Sequence, residues 1–184
     1  VLAEGPCGVG KAVAYAVPAV WHARRLGRRV VIATANIALQ EQLVFKDLPM
    51  LAKILPWEFT FALLKGRNNF LCVRRLHELK LNRELETIEN LEQRHQAEVI
   101  LRWAETTTTG DVSELPFVPI PEVWSYFSVG SEECLGDACS LQTSCHSERA
   151  KAVAARATIV VTNIHMLCAH LAVREVTGKD LVLP

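Results

Sequence analysis

The feature that most constrains the fold stands near the start of the chain, where Gly5-Pro6-Cys7-Gly8-Val9-Gly10-Lys11 has the spacing G-x-x-x-x-G-K. Glycines so placed let backbone N–H groups close around phosphates. The N-terminus of a following helix favours their charge, and the lysine reaches the terminal ones. Such a loop needs a strand before it and a helix after it. Val1-Leu2-Ala3 is apolar and strand-like, residues 11–26 read as a helix ending before Gly27, and Val30 to Ala35 (VVIATA) reads as a buried parallel strand. Strand, loop, helix, strand is a βαβ unit, so the expected fold class is α/β. Position 12 should carry the Ser or Thr whose hydroxyl holds Mg²⁺, and this chain has Ala12. Two readings stay open. Either the chain, as a natural or an engineered variant, binds ATP and hydrolyses it slowly, or another oxygen or a water takes the Mg²⁺ position.

Further along, Ile37 to Phe45 has helical spacing after the capping candidates Thr34 and Asn36, and Phe59 to Leu64 reads as a third strand. From Leu71 to Trp103 the chain is highly charged, with Leu and Ile three or four apart, which predicts one or two amphipathic helices. A polar loop from Thr106 to Pro121 leads to a cysteine-bearing segment, after which residues 147–156 return to helix and Ala157 to Asn163 to buried strand. The expected organisation is an α/β domain, residues 1–65 and 148–184, interrupted by an insertion at 66–147. Neither end has a cap or polar tail, as expected of a piece of a longer protein. The longest apolar stretch, Ala12 to Trp21, contains Pro18 and is short of the roughly 20 residues that span a bilayer. With no secretory leader in view, a soluble cytoplasmic chain is expected, whose cysteines serve as metal ligands or reactive thiols sooner than disulfides.

Four cysteines form a pattern: Cys72, then Cys134-x4-Cys139-x5-Cys145. Four thiolates suit an iron–sulfur cluster or a structural zinc. Zinc sites show a tight C-x2-4-C pair twice over, and only Cys134/Cys139 fits, which leans mildly towards iron–sulfur. Cys7 lies inside the phosphate loop, Cys168 reads as core, and His146 beside Cys145 reads at most as a support for a metal ligand. Lys65, Arg67, Arg74, Arg75 and Lys80 surround Cys72, with Phe70 among them. Basic groups and an aromatic face are the minimal kit for single-stranded nucleic acid, and a solvated helix face explains them nearly as well. Lys plus Arg equals Asp plus Glu at 20 each, so any nucleic-acid surface must be a local patch.

Taken together, AEGPCGVGKA, VVIATANIALQEQL, GRNNFLC, CLGDACSLQTSC and ATIVVTNIHML resemble the DinG family of iron–sulfur superfamily 2 DNA helicases, relatives of XPD. The resemblance implies a RecA-like motor domain with an inserted, mainly helical iron–sulfur subdomain. It implies ATP and Mg²⁺ as cofactors, with Glu4, Gly5, Gly8, Gly10, Lys11 and Ala12 in the nucleotide loop, and a [4Fe-4S] cluster on Cys72, Cys134, Cys139 and Cys145. Thr34, Asn36 and Gln40 match a motif that contacts the DNA strand; Asn163, followed by Ile164 in place of the usual histidine, matches another; and Lys65, Arg67 and Arg74 join them as candidate DNA contacts. Trp103, Thr107, Gly110, Asp111 and Glu114-Leu115 match a W-T-TGD-EL pattern between the first and second cysteines. The implied activity is 5′ to 3′ unwinding, with single-stranded, forked or R-loop DNA as partner and with repair and CRISPR-associated roles undistinguished. The family's acidic D-E-x-H box, which would carry the catalytic carboxylates, is absent from these residues, as is the second motor domain.

Overall fold

The structure is a computed structural model and describes residues 10–82 and 84–184. It divides into two compact units, one comprising the chain up to Lys65 and from Lys151 onward, the other Gly66–Ala150.

Among the described residues, the first unit has three parallel strands: β1 (Val30–Thr34), β2 (Phe61–Leu63) and β3 (Ile159–Asn163), in the order β1-β3-β2. Its fold is thus α/β with a small parallel sheet. The centre of the sheet is the last strand in sequence. Val30 pairs with Ile159 on one side of β3, and Phe61 pairs with Ile159 on the other. A strand covered on both faces reads as a continuous apolar run, and β3 is IVVTN, buried through Thr162. Its alternating side chains serve two separate cores. Ile159 and Val161 join Ile32, Ala16, Val20 and Leu43 on one face, and Val160 joins Ala62, Leu64, Ala154 and Leu183 on the other.

Helix α1 (Lys11–Leu26) packs Ala16, Val20 and Ala23 into the first core and ends at Gly27, whose φ of 61° is the left-handed stop that glycine accepts without strain. After β1, helix α2 (Ile37–Gln42) runs through a π turn at Leu43–Asp47 into α3 (Leu48–Ile54), so the single helix expected to end at Phe45 continues past it. Helix α8 (Ile164–Thr177) follows β3, and the imidazole Nδ1 of its buried His170 accepts the N–H of Leu183 at 3.2 Å, drawing Leu183 into the second core.

The second unit is helical, with α4 (Val73–Asn82), α5 (Leu91–Ala104) and α6 (Pro121–Phe127) around a core of Leu71, Leu79, Ile100, Val123 and Phe127. Asn90 caps α5 by accepting the N–H groups of Glu92 and Gln93. The chain returns to the first unit within α7 (His146–Ala154). No described helix is long and apolar enough to cross a membrane.

Candidate functional site

Of the expected nucleotide loop, Glu4, Gly5, Cys7 and Gly8, with the strand before them, lie outside the described residues. Gly10 sits at the N-cap of α1 with φ 76°, the left-handed region where glycine is favoured, and no side chain caps the helix there. Lys11 is exposed as the first helical residue, and Ala12 packs against the first core.

Thr34, Asn36 and Asn163 gather at the carboxyl ends of two neighbouring strands, because Thr34 pairs in register with Asn163. The buried Thr34 hydroxyl donates to the carbonyl of Asn36 at 3.0 Å. Asn36 Oδ1 accepts the N–H of Leu39 at 2.8 Å, and Asn163 Oδ1 accepts that of Met166 at 2.7 Å. Both asparagines are therefore helix caps, and each keeps its amide nitrogen and a second Oδ1 lone pair for other contacts. Gln40 is 1% exposed, and its Nε2 has no hydrogen-bond partner among the described residues. Lys65 is 7% exposed. Neither side chain is presented at the surface, as a strand contact requires.

The second unit brings together what the sequence holds far apart. Cys72, Cys134, Cys139 and Cys145 all line one pocket, with Arg67, Arg74 and Glu148 on its wall. Two of these cysteines immediately precede helices, Cys72 before α4 and Cys145 before α7. There the backbone N–H groups of Arg74 and Arg75 hydrogen-bond to the Cys72 sulfur. Burial pushes the Cys72 thiol up, while these N–H groups pull the other way by favouring thiolate. The N–H of Gly136 donates to Cys134 Sγ at 3.4 Å. Arg67 pairs with Glu148 at 2.6 Å, and its Nη1 donates to Ser147. Partial burial works against the Arg67 charge, yet Glu148 outweighs it and holds the guanidinium above its ordinary range. Arg74 pairs with Glu78 at 2.6 Å and also reaches the carbonyl of Glu133. Among the described residues no three His, Cys, Asp or Glu side chains form a group that could hold a metal ion.

The pocket is held by a knot of polar contacts. Thr107 Oγ1 donates to Glu114 at 2.6 Å, Trp103 Nε1 donates to the same carboxylate at 3.3 Å, and Thr109 Oγ1 is a third donor. Partial burial raises the Glu114 carboxyl, but the three donors outweigh it and hold it below the ordinary range. The N–H of Leu71 then donates to the carbonyl of Gly110 at 2.8 Å, and the N–H of Cys72 to the carbonyl of Phe127 at 2.8 Å. A Cβ on Gly110, whose φ is +66°, would stand 2.3 Å from the imidazole of His146, so only glycine fits. His146 is buried, and its Nδ1 lies 2.6 Å from Arg149 Nη2. Burial and then the Arg149 charge push its pKa down, which favours the neutral ring. Arg149 Nη2 also donates to the carbonyl of Thr108 at 2.9 Å, which fastens the loop before Gly110 to α7, with His146 packed against Gly110. The W-T-TGD-EL pattern signalled this region in the sequence, but the role of Glu114 as its hub and the fit of Gly110 to His146 appear only in three dimensions.

No family model matches the chain. It is similar to the ATP-dependent helicase DinG of Mycobacterium tuberculosis, at 39% identity over 91% of the chain and 27% of the relative. It is also similar to the ATP-dependent DNA helicase YoaA of Escherichia coli, at 34% identity over 97% of the chain and 27% of the relative. A third relative, from Bacillus subtilis, is named 3′-5′ exonuclease DinG and is 32% identical over 90% of the chain and 17% of its own length. The chain spans about a quarter of the length of the first two relatives.

Proposed function

The chain belongs to the DinG family of helicases, and we propose that it forms part of the first, RecA-like motor domain of an ATP-dependent 5′ to 3′ DNA helicase, with a [4Fe-4S]-bearing insertion. The observation that carries this reading is that Cys72, Cys134, Cys139 and Cys145 line one pocket, in a unit whose sequence is inserted between those of β2 and β3. Four thiols lining one pocket suit an iron–sulfur cluster or a structural zinc, and only Cys134-x4-Cys139 has the tight spacing of a zinc pair, which favours the cluster. The donor set fits in charge as well: N–H groups reach Cys72 and Cys134, and Arg67 and Arg74 stand on the wall to offset thiolate charge. When bound, the cluster would act as a structural staple and strand guide.

In this reading Gly10 and the N-terminus of α1 cradle ATP phosphates, and Lys11 reaches the terminal ones. Thr34, Asn36 and Asn163, at the carboxyl ends of β1 and β3, face single-stranded DNA through the motor domain, while Arg67 and Arg74 do so from the insertion. Iron, sulfide and zinc content of anaerobically purified protein, compared with Cys139→Ser, tests the metal assignment. About four iron and four sulfide per chain, lost in the variant, are expected; one zinc without visible absorbance would replace the cluster by a structural zinc. A second reading, a nucleic-acid-binding module with little ATPase, is favoured by Ala12. Ala12→Thr, in a protein with both motor domains, separates the two: a gain in DNA-stimulated ATP hydrolysis supports the motor, and none supports the module.

A further inference from the structure

At the far end of α1 from the phosphate loop lies a pocket of about 310 Å³ whose polar lining is dominated by arginines: Arg24, Arg28, Arg29 and Arg156, with Thr158 at its floor. Sixteen residues of helix, at about 1.5 Å each, put roughly 24 Å between this pocket and Gly10, so it is no part of the nucleotide site. It opens beside the amino ends of β1 and β3, opposite the strand ends that carry Thr34 and Asn163. No carboxylate lines it, although the chain carries as many acidic as basic residues, 20 of each.

The four guanidinium groups are not equivalent. Arg29 is committed to the fold: its Nε donates to the carbonyl of Ala157 at 3.1 Å and its Nη2 to that of Ala155, just beyond the end of α7. The guanidinium groups of Arg24, Arg28 and Arg156 are exposed and have no ion-pair or hydrogen-bond partner among the described residues, although the Arg156 carbonyl accepts the Thr60 hydroxyl. The ends of α1 and α7 that face this region contribute together roughly −1 of helix-dipole charge, which four full positive charges exceed about fourfold. The pocket is left with a positive field and three donor forks that match phosphate geometry. One turn back on α1 and outside the pocket lining, the half-exposed Trp21 carries Arg25 over one face of its ring at 5.0 Å. Cationic forks next to an aromatic face are what a nucleic-acid strand uses, the first for phosphates and the second for a base.

We propose that Arg24, Arg28 and Arg156 form a second phosphate-binding site, which holds the backbone of a nucleic-acid strand at the end of the motor domain remote from the nucleotide loop. It rests on this arginine cluster and not on the helicase reading. The test is the binding of a fluorescein-labelled thymidine oligonucleotide, followed by anisotropy across a salt series, to the wild-type chain and to the triple variants Arg24→Gln/Arg28→Gln/Arg156→Gln and Arg24→Lys/Arg28→Lys/Arg156→Lys. All three side chains are exposed and Arg29 is left in place, so the fold should survive; retained affinity in the lysine variant identifies charge and not folding as the cause of any loss. Removing three phosphate contacts at about 0.7 each should flatten the slope of log K against log salt by roughly 2 and weaken binding about tenfold near physiological salt. Binding of a fluorescent ATP analogue should be the same in all three proteins, so failure of the nucleotide-loop reading would show separately. An unchanged slope and affinity in the glutamine variant would overturn the proposal. So would inorganic phosphate binding as tightly as the oligonucleotide, which would make this a free-phosphate site, or phosphatidylserine vesicles losing affinity in the glutamine variant while the oligonucleotide does not.

Discussion

The two units hold their functional residues by different means. In the first, Thr34, Asn36 and Asn163 ride on the ends of strands whose positions are set by apolar packing on both faces of a parallel sheet. In the second, the four cysteines sit on turns and helix starts, and their neighbours are fixed by hydrogen bonds to one carboxylate, Glu114, and by one imidazole, His146. Nonspecific burial suffices to place a strand end. Placing four thiols on one pocket from loops takes directed bonds, and the metal group we propose there would add more.

The sharpest way to break that contrast is to remove a thiol. In the metal-loaded protein, Cys139→Ser should collapse amide-exchange protection across 66–150, because a four-thiolate site supplies on the order of 10 kcal/mol of folding free energy, while β1 and β3 keep theirs. Equal loss of protection in both units would show that they do not differ in this way. Next in size, Ile159→Ala empties a fully buried position on the central strand and should lower the stability of the first unit by about 3 kcal/mol in urea unfolding, leaving exchange in the second unit unchanged. The smallest effect belongs to Glu114→Gln. Replacing a carboxylate acceptor by a neutral one should cost about 1 kcal/mol and speed exchange at Gly110 and Leu71. Because the folded carboxyl is held below its ordinary value, its contribution is complete above about pH 4.5 and is lost as pH falls through the folded pKa; the glutamine variant should lack that acid-side loosening. A variant that loosens in acid as the parent does would remove Glu114 from the account.

The first unit was readable to the residue in places. The stretch from Lys11 to Leu26 is bounded by a phosphate-loop glycine and by Gly27, both in the left-handed region, and the helix has those limits. The run ATIVVTN announces a buried strand because β-branched residues without alternation need cover on both faces. Helices α3 and α6 escaped because each has a proline in its first turn, Pro49 and Pro121, which reads as a breaker in sequence and is accepted there in the fold. In the second unit, the pattern of cysteines was plain but not their convergence, since 61 residues separate Cys72 from Cys134 and spacing over such a distance carries no geometry. The arginine pocket was missed for the same reason: Arg156 reaches Arg24 and Arg28 only through the pairing of β1 with β3.

The place of β3 at the centre of the sheet sets a timetable for synthesis. Thr60, at the start of β2, finds its partner Thr158 only 98 residues later. At 5 to 20 residues per second, a ribosome needs roughly 5 to 20 s to make that interval, during which β1 and β2 have emerged with no neighbour between them. The 85 residues from Gly66 to Ala150 are complete before β3 is. The insertion can therefore fold while the nascent sheet still waits for its middle strand, and any delay in that strand leaves two apolar edges open to pairing with another chain.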